Sequence, residues 1–88
     1  MPKRNLVWKG PGPLGEPDGR VLFELLDATK DGCMVTVRNR ESFIPVAEGL
    51  QRRGYLDKLE MFGRGGFRCN VTQKGLDYGR RHFGWTEA

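Results

Sequence analysis

A glycine-rich turn, Gly63-Arg64-Gly65-Gly66, constrains the fold of this chain more than any other segment, because two runs of strand-forming residues flank it. The residues after the turn alternate in polarity up to Val71, with Phe67, Cys69 and Val71 on one face. Before the turn, Tyr55 to Phe62 read as a strand whose two faces would be Tyr55, Asp57, Leu59, Met61 and Leu56, Lys58, Glu60, Phe62. Glycines between two such runs are typical of a β-hairpin. We therefore predict a hairpin from Tyr55 to Val71 with Arg64 at its tip.

Three other segments have the apolar spacing of amphipathic helices. The first runs from Arg20 to Thr29, with Asp18 as its N-cap and Lys30-Asp31-Gly32 at its end. The second runs from Ser42 to Arg53, with Ser42 as N-cap, Pro45 in the first turn and Gly54 after its end. The third runs from Thr72 to Phe83, with Thr72 as N-cap and a basic last turn, Arg80-Arg81-His82, that suits the helix dipole.

Two segments outside the helices and the hairpin complete the layout. The β-branched run from Cys33 to Val37 is either a strand or a compressed turn of helix, and we favour the strand. Residues 1 to 18 are rich in Gly and Pro and are predicted to be a flexible basic arm, in which Trp8 is ordered only if it finds an apolar pocket. Residues 19 to 88 then form one small α+β domain.

The charge of the chain favours an anionic partner. The net charge is +4, and ten of the fifteen basic residues are Arg, whose planar guanidinium binds phosphates and carboxylates through two parallel hydrogen bonds. A basic surface can also serve only to keep a small protein dispersed, so charge alone leaves both interpretations open.

Several other classes of function are not expected. The chain has one histidine, His82, and two distant cysteines, Cys33 and Cys69, which do not form a zinc pattern. No nucleophile can be matched with a base by its spacing, so we expect neither an enzyme nor a cofactor. No apolar run approaches the roughly 20 residues that cross a membrane, and the N-terminus lacks the apolar stretch of a signal peptide. We therefore expect a cytoplasmic protein.

The order helix, short strand, helix, hairpin, helix resembles the winged helix-turn-helix domains of MarR- and PadR-like regulators. Two stretches carry the resemblance over roughly residues 19 to 83. Ala47-Glu48-Gly49-Leu50-Gln51-Arg52-Arg53-Gly54-Tyr55-Leu56 looks like a recognition helix that runs into the first wing strand, and Val71-Thr72-Gln73-Lys74-Gly75-Leu76 looks like the step out of the wing. One departure is that the segment from Lys30 to Glu41 leaves little room for the usual middle helix.

The resemblance implies a small transcriptional regulator that binds double-stranded DNA, with its second helix in a major groove and its wing on an adjacent groove or on the backbone. The residues it places at the DNA are Arg38, Arg40, Ser42, Gln51, Arg52, Arg53, Arg64, Arg68 and Lys74. Lys3 and Arg4 of the arm would follow the groove.

Two alternatives stay open. Glu41 and Glu48 lie on or beside the second helix, where they would oppose phosphate, so the domain can instead be a protein-interaction module, an adaptor or a phage-type inhibitor of a host complex. A basic wing can also lie on structured RNA. Phe83-Gly84-Trp85 are interpreted mainly as packing residues, with the seam of a homodimer as the alternative.

Overall fold

The computed structural model describes residues 6–29 and 34–85, and these form three α-helices and one three-stranded antiparallel sheet. The helices are α1 (Asp18–Ala28), α2 (Ile44–Arg52) and α3 (Gln73–His82), and the strands are β1 (Met34–Val37), β2 (Leu56–Phe62) and β3 (Gly66–Val71). Short 3-10 helices, Gly12–Leu14 and Glu41–Phe43, precede α1 and α2. This confirms the predicted α+β fold, and the arrangement is compatible with a small winged-helix-like domain.

The strands lie in the order β1-β3-β2, so the return strand of the hairpin is the centre of the sheet. Met34 of β1 pairs with Asn70 and Val37 pairs with Phe67, which confirms that this run is a strand and not a turn of helix. Cys33 and Lys30-Asp31-Gly32 lie outside the described residues. Phe67, Cys69 and Val71 are buried on the inner face of β3, as their alternation predicted.

The predicted faces of the first hairpin strand are wrong, because β2 contains an irregularity of the β-bulge type between Asp57 and Glu60. Lys58 has a φ of 53°, and Leu59, three positions after the buried Leu56, also packs against the core. The extra residue reverses the alternation. The amide of Leu59 donates to Oε1 of Gln51 in α2 at 2.9 Å, so a side chain of the preceding helix satisfies a backbone group at the bulge.

The starts of two helices also differ from the prediction. Asp18 is the first residue of α1 and Pro17 holds the N-cap position. Instead of capping, the Asp18 carboxylate accepts a hydrogen bond from Arg53. Ser42 lies in the 3-10 helix before α2 and makes no capping bond, because that turn moves the helix start to Ile44. Pro45 does lie in the first turn, and Gly54 follows the helix with a φ of +88°.

The core lies between the helices and the inner face of the sheet. Leu22, Leu25 and Leu26 of α1 are fully buried, and Ala47 and Leu50 of α2 and the sheet residue Phe67 are equally inaccessible. The buried hydroxyl of Thr29 donates to the carbonyl oxygen of Met34 at 2.7 Å, which links the end of α1 to the start of β1. At the other end of the chain, Phe83 and Trp85 are 0% and 1% exposed. Their packing role is therefore confirmed, and their side chains are not available as a seam between two copies.

The described part of the predicted arm packs on the domain. Trp8 contacts the rings of Phe23 and Phe83, with centroids 5.1 and 6.0 Å apart. Tyr78 donates its hydroxyl to the carbonyl oxygen of Pro11 and accepts from the amide of Leu14. These contacts provide the apolar pocket that Trp8 required. Lys3 and Arg4 lie outside the described residues.

The cap of α3 gives a first testable prediction. Thr72 Oγ1 accepts from the amide of Gly75 at 3.2 Å and donates to the carbonyl oxygen of Gly54 at 2.6 Å. Replacing Thr72 by Ala is expected to lower the free energy of unfolding by about 1 kcal/mol, the usual value of an N-cap. Thr72→Ser retains the hydroxyl and should lose less than half of that in urea titrations. Equal losses in the two variants would contradict the capping role.

Candidate nucleic-acid interface

The arginines of the domain divide into two groups by their partners. Four form ion pairs with acidic side chains: Arg20 with Glu16, Arg53 with Asp18, Arg68 with Glu60 and Arg80 with Asp77. Among residues 6–29 and 34–85, five arginines form no ion pair with a carboxylate: Arg38, Arg40, Arg52, Arg64 and Arg81. A carboxylate partner partly neutralises a guanidinium and so weakens its attraction for a phosphate, which makes the second group the better source of anion contacts.

Three of these unpaired arginines lie at the turn end of the sheet, and we call Arg38, Arg40 and Arg64 the hairpin-tip cluster. Arg38 directly follows β1, and Arg64 lies in the turn between β2 and β3. Both line a shallow hollow of about 220 Å³, together with Asn39, Phe62, Gly63 and Gly66. The backbone amide of Arg40 donates to the carbonyl oxygen of Gly65 at 3.1 Å, which fastens the loop after β1 to the turn.

The backbone at the tip is shaped by turn residues. Asn39, Arg64 and Gly65 have φ values of 57°, 67° and 71°. A Cβ on Gly65 would lie 2.9 Å from the Cβ of Glu41, so only glycine allows the turn to approach the loop this closely. This close approach brings the backbone and Cβ of Glu41 against the turn that carries Arg64.

The predicted DNA-contact residues at the end of α2 and the start of α3 are held by contacts within the domain. Gln51 accepts from the bulge, Arg53 pairs with Asp18 at 3.2 Å, and Lys74 donates to the carbonyl oxygen of Arg53 at 2.7 Å. The ammonium group of Lys74 also lies 4.6 Å from the centre of the Tyr55 ring. These three side chains hold α1, α2, the hairpin and α3 together, so they are less free to contact DNA than the sequence suggested.

The solvent-exposed surface of α2 is close to neutral. Its exposed residues include Pro45, Glu48 and Arg52, which give one acid and one base. Ser42 is exposed in the preceding 3-10 helix, and Arg68 lies on the outer face of the sheet with Glu60 at 2.9 Å. Of the predicted contact residues, the structure brings Arg38 and Arg64 together at one hollow, and Arg40 is linked to the same turn through its backbone amide.

Sequence reasoning did not single out Phe62 as a surface residue of interest. It is 42% exposed, and its ring packs over Gly66: a Cβ there would lie 2.6 Å from Cε2 of the ring. The clue in the sequence was an aromatic residue at the end of a strand next to a glycine-rich turn. Because Phe62 pairs across the hairpin with Gly66, the glycine gives the ring room to lie on the backbone.

Two groups in the interior are kept neutral by burial. Burial raises the pKa of the Cys69 thiol to about 12 and raises the pKa of the Tyr78 hydroxyl above its usual value. Cys69 lies on the inner face of β3 and Tyr78 on α3, so neither is placed for chemistry at the surface.

The burial of Cys69 predicts slow chemical labelling. In a Cys33→Ser variant, a thiol reagent at neutral pH should react with Cys69 at least about 100-fold more slowly in buffer than in denaturant, because only the thiolate reacts and the folded protein excludes the reagent. Equal rates in both conditions would contradict the buried position.

Among residues 6–29 and 34–85, no three His, Cys, Asp or Glu side chains are placed to hold a metal ion. Within the same residues, no helix combines the length and the apolar character needed to cross a membrane. Comparison of the chain with protein-family models, with curated proteins and with solved structures gave no match in any of the three.

Proposed function

We propose that this chain is a small winged-helix-like regulator that binds duplex DNA mainly through its hairpin-tip cluster. The observation that carries the proposal is that Arg38 and Arg64, without ion-pair partners among the described residues, line one hollow at the turn of the hairpin, with Arg40 in the adjoining loop. The backbone bond from Arg40 to Gly65 supports it, because it fixes the spacing of the loop and the turn that carry the guanidinium groups.

The chemistry is neutralisation of phosphate charge. Each guanidinium can donate two parallel hydrogen bonds to one phosphate and releases condensed counterions when it does so. A projecting turn can follow a groove or the backbone of a duplex, as wings do. The nearly neutral face of α2 offers Arg52 for a further phosphate but few side chains that read bases. The proposal therefore predicts binding with weak sequence preference.

A salt titration tests the proposal. Fluorescence anisotropy of a labelled random-sequence duplex, measured between low and physiological salt, should give a log–log slope of about −3 if three phosphates are neutralised. A sizing column run beside it gives the number of protein copies bound to each duplex. A flat salt response, or no binding at low salt, would refute the proposal.

A protein-interaction module is the second candidate, and the face of α2 favours it. Pro45 and Glu48 are exposed there. These residues offer an apolar ring and one carboxylate that a cationic partner could contact. Capture experiments with the wild-type protein and a Glu48→Arg variant separate the candidates: a partner lost in the variant, with duplex binding absent from both, would favour this second function.

A further inference from the structure

We infer that Phe62 is a stacking platform for an unpaired nucleobase, so that the hairpin tip prefers duplex DNA with a base out of the helix over a regular duplex. This inference rests on the proposed DNA-binding function and adds a substrate class to it. It is carried by the juxtaposition of an exposed aromatic ring with two unpaired arginines in one hollow.

Phe62 lies outside the hydrophobic core. It is 42% exposed, and it is absent from the residues that form or pack against the buried cluster. The ring rests on Gly66, and part of its surface lines the hollow. An aromatic ring held in this way is already ordered, so it loses little side-chain entropy when a second ring stacks on it.

The ring of Phe62 has positively charged neighbours. Arg38 and Arg64 line the same hollow as Phe62, and neither has a carboxylate partner among the described residues. A nucleotide carries a planar base and an adjacent phosphate, and proteins that bind single strands combine aromatic rings with cationic side chains for this reason. The ring and the guanidinium groups therefore match the two halves of one nucleotide.

The hollow suits a base that is not stacked within a duplex. The hollow has a volume of about 220 Å³ and opens at the projecting end of the hairpin. Bases in a regular duplex are stacked on one another and do not present a face to such a ring. A bulged or flipped base does, and it has already lost its pairing, so the cost of unstacking is least for it.

The experiment uses the full chain and two probes: a short blunt-ended duplex, and the same duplex with one bulged 2-aminopurine. The wild type is expected to bind the bulged probe about tenfold more tightly than the blunt one, because base–aromatic stacking adds binding free energy, and to quench the fluorescence of the 2-aminopurine when this base stacks. Phe62→Leu should lose both the preference and the quenching and keep its affinity for the blunt duplex. Phe62→Tyr and the neighbouring control Met61→Ala should keep both.

Preference or quenching that persists in Phe62→Leu would overturn the inference. Equal wild-type affinity for the two probes, with normal salt-dependent binding, would also overturn it while leaving the proposed function intact. Binding and quenching with the bulged probe alone would contradict the duplex-binding function and support the stacking site.

Discussion

Replacing both Arg38 and Arg64 by alanine is expected to lower the affinity for duplex DNA about 100-fold at low salt. Hydrogen bonds to charged groups are worth about 1.5 to 3 kcal/mol each, so the loss of each guanidinium costs about tenfold or more. The same change should reduce the salt slope by about 1.8, because two fewer phosphates are neutralised. Anisotropy titrations at several salt concentrations measure both quantities.

The matched control for this variant removes two other arginines. Arg68 and Arg80 form ion pairs with Glu60 and Asp77 at 2.9 and 2.8 Å, so Arg68→Ala with Arg80→Ala reduces the net charge by the same two units. The control variant is expected to lose less than about fivefold in its affinity for duplex DNA, which is the effect of the overall charge. An equal loss in the two variants would show that general electrostatics and not the hairpin-tip cluster controls binding.

Replacing Phe83 by alanine is expected to give the largest loss of stability, about 4 kcal/mol. Phe83 is fully buried, and its ring contacts Trp8, Phe23 and Tyr78 with centroids 6.0, 5.2 and 5.5 Å away. It therefore joins the N-terminal segment, α1 and α3 in one aromatic cluster. A domain of this size has a total stability of about 5 kcal/mol, so the variant should be largely unfolded at body temperature. Thermal and urea unfolding followed by circular dichroism measure the effect.

Phe62→Ala is the matched control for that substitution, since it removes the same ring from an exposed position. This substitution is expected to lower the free energy of unfolding by less than about 1 kcal/mol. If Phe83→Ala cannot be studied because it does not fold, Phe83→Leu should give an intermediate loss. A Phe83→Leu variant as stable as the wild type would contradict the central position of this ring in the core.

The hairpin and the three helices could be predicted because their patterns are local. The turn at Gly63–Gly66, the alternation from Phe67 to Val71 and the cap at Thr72 each depend on neighbours along the chain. The position of Arg64 at the hairpin tip follows from the position of the turn. The strand at Met34–Val37 followed from its β-branched residues.

The remaining features depend on contacts between distant segments. At the bulge, the amide of Leu59 donates to Oε1 of Gln51, and the end of α2 is tied to α1 through Arg53 and Asp18. Neither pairing has a signature in the spacing of the sequence. For the same reason, the basic residues could be identified from the sequence, but which of them have carboxylate partners could not be predicted.

The most direct test of the hairpin-tip interface is a titration of the isotope-labelled protein with duplex DNA, followed through its backbone amide resonances by NMR. We expect the largest shifts at residues 38–40 and 62–66, with smaller changes along α2. Shifts concentrated on α2, with residues 38–40 and 62–66 unaffected, would contradict the proposed interface.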